Sequence, residues 1–107
     1  MSGEKLVAIS RKLYNQSIDV SHLTADLRKQ AFAIRKKAKE CRYSDVMLEY
    51  RILLGKVDQI HDILTKAFAE GKISSNEVNK VRADLSDYQR DVIEDMTTAL
   101  KEKCGCK

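Results

Sequence analysis

Two Asp-x-x-His pairs, Asp19 with His22 and Asp58 with His61, are residues whose types and spacing invite chemistry. On a helix the i, i+3 spacing sets both side chains at neighbouring positions. Di-metal sites in helical bundles use Glu-x-x-His pairs in this way, with further carboxylates. Here the likeness is superficial. Asp19 and His22 flank a helix-breaking stretch and lie off the apolar stripe. Asp58 falls on the outer side of its helix, His61 falls in the flanking apolar row of Met47, Leu54 and Phe68, and no inward-facing glutamate completes a ligand set. No metal or cofactor is therefore expected. His61 reads as a half-buried, hydrogen-bonded side chain whose contact could respond to pH.

The cysteines are Cys41, Cys104 and Cys106. Cys41 lies on the apolar stripe of the first helical segment and reads as a small buried hydrophobe. Cys104 and Cys106 stand in Lys103-Cys104-Gly105-Cys106-Lys107, where nearby lysines favour accessible, reactive thiolates. Redox, soft-metal, lipid-attachment and intersubunit-disulfide roles are open to this pair. A prenylation box is not met, and two cysteines alone cannot make a structural zinc site. In a reducing cytosol all of these cysteines would stay thiols.

A third feature is charge. The net charge is +4, but residues 1–42 carry ten Lys/Arg against four Asp/Glu, while residues 43–107 carry ten against twelve. Arg28, Lys29, Arg35, Lys36, Lys39 and Arg42 form one stripe on the side away from Leu27 and Ile34. The functional reading is an anion-binding face for RNA, DNA or an acidic lipid surface. The bland reading is a solvated face partly balanced by Asp84, Asp87, Asp91, Glu94 and Asp95. Only Phe32 interleaves with the cations, so base stacking is not suggested and any nucleic-acid contact would be to the backbone. Membrane binding is disfavoured because the apolar side of that helix is needed in the core.

No glycine-rich phosphate loop, activated nucleophile or inward-facing carboxylate pair is present, so no enzyme is expected. The elements that must position these residues are helices. The 107 residues include no proline, four glycines and 6% aromatic residues, a profile against any sandwich or barrel. No apolar run is long enough to span a membrane, and the amino terminus lacks the apolar run of a signal peptide. A cytoplasmic protein is the expectation.

Leu6, Leu13, Val20, Leu27, Ile34 and Cys41 recur every seven residues, with a weaker seam that includes Ile9 and Leu23. One helix over residues 4–42 would fit this pattern, with Asn15–Asp19 as its weak point because Asn, Ser and Asp favour caps. Ser44 and Asp45 read as the start of a second helix, whose stripe runs from Val46 to Ala67 and which Gly71 ends. Ser74-Ser75-Asn76-Glu77 has capping-box spacing, with Ile73 and Val78 as its staple, and opens a third helix to about Cys104. The expected fold is an all-α antiparallel bundle of three long helices, or four if the first breaks near 15–19. Residues 1–103 make one domain and 104–107 a short flexible tail. An unbroken first helix would overhang the others by roughly 15 Å, leaving Leu6, Ile9 and Leu13 as an interface for another subunit. The functional expectation is a non-enzymatic assembly or adaptor protein that self-associates through helix–helix contacts. The alternative is a small basic nucleic-acid-binding subunit.

Overall fold

Asn15–Asp19 does end the first helix. In the computed structural model, which describes residues 2–105, the order is α1 (Ser2–Tyr14), α2 (Ser21–Lys39), α3 (Tyr43–Ala69) and α4 (Ser75–Cys104). Ser17 adopts a left-handed conformation (φ 64°), so the Ile18 N–H reaches the Leu13 carbonyl at 2.9 Å and the Ser17 N–H reaches that of Tyr14 at 3.0 Å. This is the Schellman closure that satisfies the last carbonyls of a helix. Asp19 then accepts hydrogen bonds from the N–H and hydroxyl of Ser21, at 3.0 and 2.7 Å, at the start of α2. Those bonds hold the Asp19 carboxyl below its usual range.

The same closure recurs twice. At Gly71 (φ 75°) the Lys72 N–H bonds the Ala67 carbonyl at 2.9 Å, and at Cys41 (φ 59°) the Arg42 N–H bonds that of Lys37 at 3.0 Å. Gly71 takes this conformation freely, whereas a side-chain-bearing residue such as Cys41 does so at a cost of roughly 1–2 kcal/mol. The start of α3 differs from the Ser44 expectation. Its cap position is Arg42, without a side-chain cap, and the Arg42 guanidinium instead pairs with Asp45 at 2.6 Å. The α4 start is as the sequence implies, with Ser74 Oγ accepting from the Glu77 N–H at 3.2 Å and Ile73 and Val78 both buried. The backbone N–H and hydroxyl of Ser74 together hold the Glu77 carboxyl below its ordinary value.

Cross-helix contacts fix the directions. Lys5 meets Asp91 and Gln16 meets Glu77, so α1 runs antiparallel to α4. The Tyr88 hydroxyl donates to the Leu27 carbonyl and Arg35 meets Asp95, so α2 runs parallel to α4. Asp26 with Lys56, and Gln30 with Glu49, set α3 antiparallel to α2. At ~1.5 Å per residue α1 is about 20 Å long against about 45 Å for α4. The 50 × 19 × 18 Å body therefore has four helices at one end and three at the other.

Leu6, Ile9 and Leu13 are 0%, 3% and 0% exposed, packed in the same core as Leu27, Leu85 and Tyr88. The overhang does not exist, because folding back at Ser17 buries α1 against α2 and α4 of its own chain. These residues are a core, not an oligomer interface. The buried residues of the three-helix end include the small Ala38, Val46 and Ala99.

That end is closed by a disulfide between Cys41 and Cys104, whose Cα atoms are 5.6 Å apart across 63 residues of sequence. Two expectations are corrected by it. Cys41 is a bridging residue and not an inert core thiol, and Cys104 belongs to α4 and the domain and not to a reactive tail. A bridge of this kind persists where the surroundings are oxidising. Cys106 lies outside the described residues.

Candidate functional site

The outer face of α2 gathers the stripe expected from the sequence. Arg28, Lys29, Arg35, Lys36 and Lys39 are all exposed, and with Ala25 and Phe32 they occupy about one-third of the helix circumference. Phe32 stands in the middle of that sector and is 70% exposed. Arg42 lies beyond the helix end, in the α2–α3 turn.

The partners of these cations divide them. Arg35 makes a two-pronged pair with Asp95, both contacts at 2.8 Å, which raises its pKa further through the hydrogen bonds and the carboxylate charge. Arg42 is held by Asp45 and, at 3.6 Å, by Glu40. Arg28, Lys29, Lys36 and Lys39 have no side-chain hydrogen bond or ion pair among the described residues. The acids of α4 mostly look elsewhere. Asp91 pairs with Lys5, Asp84 with Lys80 and Asp87 with Arg90. Balancing of the stripe by α4 thus reduces to the single Arg35–Asp95 pair.

Folding brings α1 residues to this face that sequence spacing could not place there. Tyr14 is 67% exposed and Val7 40% exposed; together with Arg11 they line a hollow shared with Ala25 and Arg28 of α2. A second hollow, formed by Ala25, Arg28, Lys29 and Phe32, continues it. A third, beside Gly3 at the start of α1, lies between Arg28, Phe32, Arg35 and Asp95, with Tyr88 among its lining residues. Arg28 borders all of them. Burial pushes the Tyr88 phenol up to about 12, with the neighbouring Arg28 charge pulling the other way, so the hydroxyl stays a neutral donor to Leu27.

The Asp-x-x-His pairs do not converge. Asp19 is engaged by Ser21, His22 and Asp58 are exposed, and His61 is half-buried in α3. Burial and then the Arg82 charge hold the His61 imidazole below its usual value, while Asp58 and Asp62 draw it back up. Arg82 donates to Thr65 Oγ1 at 2.9 Å. Among the described residues no three His, Cys, Asp or Glu side chains come together in a group able to hold a metal ion.

On α3, which α1 does not touch, Met47, Leu48 and Ile52 are 57%, 56% and 50% exposed. Met47 is therefore not part of the packed flanking row that the sequence suggested with Leu54 and Phe68; Phe68 is also half exposed. No helix among the described residues is long and apolar enough to cross a membrane. The fold and this face together define a disulfide-closed helical bundle with one cationic, aromatic-bearing side. Compared with known protein families, curated proteins and solved structures, the chain matches none.

Proposed function

We propose that this protein is a non-enzymatic binding module that takes the phosphate backbone of a nucleic acid on the outer face of α2. The observation that carries this reading is the set Arg28, Lys29, Lys36 and Lys39, exposed together without an acidic partner while Arg35 and Arg42 have theirs. Like charges crowded on one helix face repel one another. A polyanion relieves that repulsion and gains entropy by releasing its counterions.

The test is a salt titration of fluorescence anisotropy with short labelled RNA and DNA. Binding at low salt should weaken linearly in log–log, and each cation engaged adds about 0.7–0.9 to the slope. Arg28→Glu/Lys29→Glu/Lys36→Glu should lower the slope by roughly 2–3 and the affinity at low salt by on the order of 100-fold. Circular dichroism should be unchanged, since none of these side chains makes a hydrogen bond or ion pair among the described residues. Absence of binding by the wild-type chain even at low salt would remove the reading.

A second reading, assembly through helix–helix contact, is favoured by the exposed Met47, Leu48 and Ile52 of α3. Side chains of this size on one exposed stretch are typical of a surface that another helix covers. In that case Leu48→Asp/Ile52→Asp shifts the mass measured by light scattering down to that of a single chain without loss of helicity. A wild-type chain that is monomeric at high concentration would argue against self-association.

A further inference from the structure

Three adjoining hollows along the outer side of α2, the first shared with α1, the second on α2 alone and the third shared with α4 and Gly3 of α1, make a shallow surface groove. Arg28 borders every part of it, Tyr14 stands at one end and Phe32 at the other. Along α2 the groove runs from Ser21 past Phe32, about 16 Å at 1.5 Å per residue, long enough for a few nucleotides. The two aromatics are among the most exposed large apolar side chains described, at 67% and 70%, and each has cations beside it. Phe32 alone among the cations does not suggest base stacking. With Tyr14 brought alongside by α1 there are two exposed rings beside cations, an arrangement on which unpaired bases stack while the cations hold the adjoining phosphates.

We infer that this groove selects single-stranded over duplex nucleic acid, with Phe32 and Tyr14 as the stacking surfaces and Arg28 bridging the phosphates between them. The inference rests on the reading of the α2 face as a phosphate-binding surface and adds the class of nucleic acid. In a duplex the base faces are already stacked and offered to no side chain. Phenylalanine has no hydrogen-bonding group with which to read base edges, so selection here is for unpaired bases and not for sequence.

The deciding experiment compares a labelled deoxythymidine oligonucleotide with a duplex of the same length, at fixed low salt. The wild-type chain should bind the single strand at least about 10-fold more tightly. Phe32→Ala should reduce single-strand affinity about 10-fold, leave duplex affinity and the salt slope unchanged, and Phe32→Tyr should restore it. Tyr14→Ala should act in the same direction. Salt-dependent binding of both forms with equal affinity, indifferent to Phe32→Ala, would overturn this inference and leave the phosphate-binding reading standing. Binding of neither form would overturn both. Binding only to vesicles of phosphatidylserine and phosphatidylcholine, weakened by Phe32→Ala, would overturn both by assigning the face to anionic lipid.

Discussion

Reduction of the Cys41–Cys104 disulfide, or its removal in Cys41→Ser, lowers the thermal midpoint of the bundle by roughly 10–25 °C. The bridge spans 63 residues, and closing a loop of that length in the unfolded chain is worth about 4 kcal/mol in the chain-entropy account. Its position adds to the effect. It ties the α2–α3 turn to the last residue of α4 at the three-helix end, where the small Ala38, Val46 and Ala99 supply little apolar area. Without it the last turns of α4 are free to fray. Calorimetry in the presence and absence of a reductant measures the shift, and the reduced wild type and Cys41→Ser should unfold at the same temperature.

Two checks accompany that result. Alkylation of the unreduced, denatured chain followed by peptide mapping should leave Cys41 and Cys104 unmodified, since the two are paired. Cys41→Gly should be about 1 kcal/mol more stable than Cys41→Ser, because both lose the bridge but only glycine takes φ near 59° without steric cost. A chain whose midpoint ignores reductant would show that the bridge contributes nothing to the fold.

Substitution of the α1 core is the second large effect. Leu6→Ala and Leu13→Ala should each cost about 2–5 kcal/mol, since both side chains are fully buried and their removal leaves cavities. Leu13→Asp should unpack α1 altogether by placing a carboxylate in an apolar site. Leu48→Ala, half exposed on α3, should stay within about 0.5 kcal/mol. Urea unfolding reads all of these. The contrast separates a core from an interface: if α1 were an arm reaching for another subunit, the leucine substitutions would change the molecular mass and leave monomer stability intact.

Much of this architecture is written in local patterns. The seven-residue recurrence from Leu6 to Ile34, the stripe from Val46 to Ala67 and the capping box at Ser74–Glu77 each depend on residues within a few turns of one another. Helical periodicity and caps are short-range physics, so the all-α class and the edges of α4 follow from the residues themselves. The break at Asn15–Asp19 was legible as a weakness, because Ser, Asn and Asp offer their own side chains to the backbone. Whether it would open was not. That outcome depends on the apolar surface of α2 and α4 being available to bury Leu6, Ile9 and Leu13, in an α1–α4 packing whose Lys5–Asp91 contact spans 86 residues of sequence.

The candidate site divides in the same way. Spacing alone put Arg28, Lys29, Arg35, Lys36 and Lys39 on one side of α2. Spacing could not say that Asp95 takes Arg35 and leaves the others unpaired, because α2 and α4 meet only in the folded chain. Nor could it bring Tyr14 to the groove that ends at Phe32. Cys41 shows the limit most plainly. On the helical stripe it read as one more apolar residue. In the fold it lies past the end of α2, in a left-handed turn that aims its sulfur at Cys104. What the sequence determined by itself was the helices, their caps and the composition of their faces, since those are set within a few residues. Which faces meet, which charges pair and which cysteines bond were decided only by the tertiary structure, because each requires two segments distant in the chain to compete for the same space.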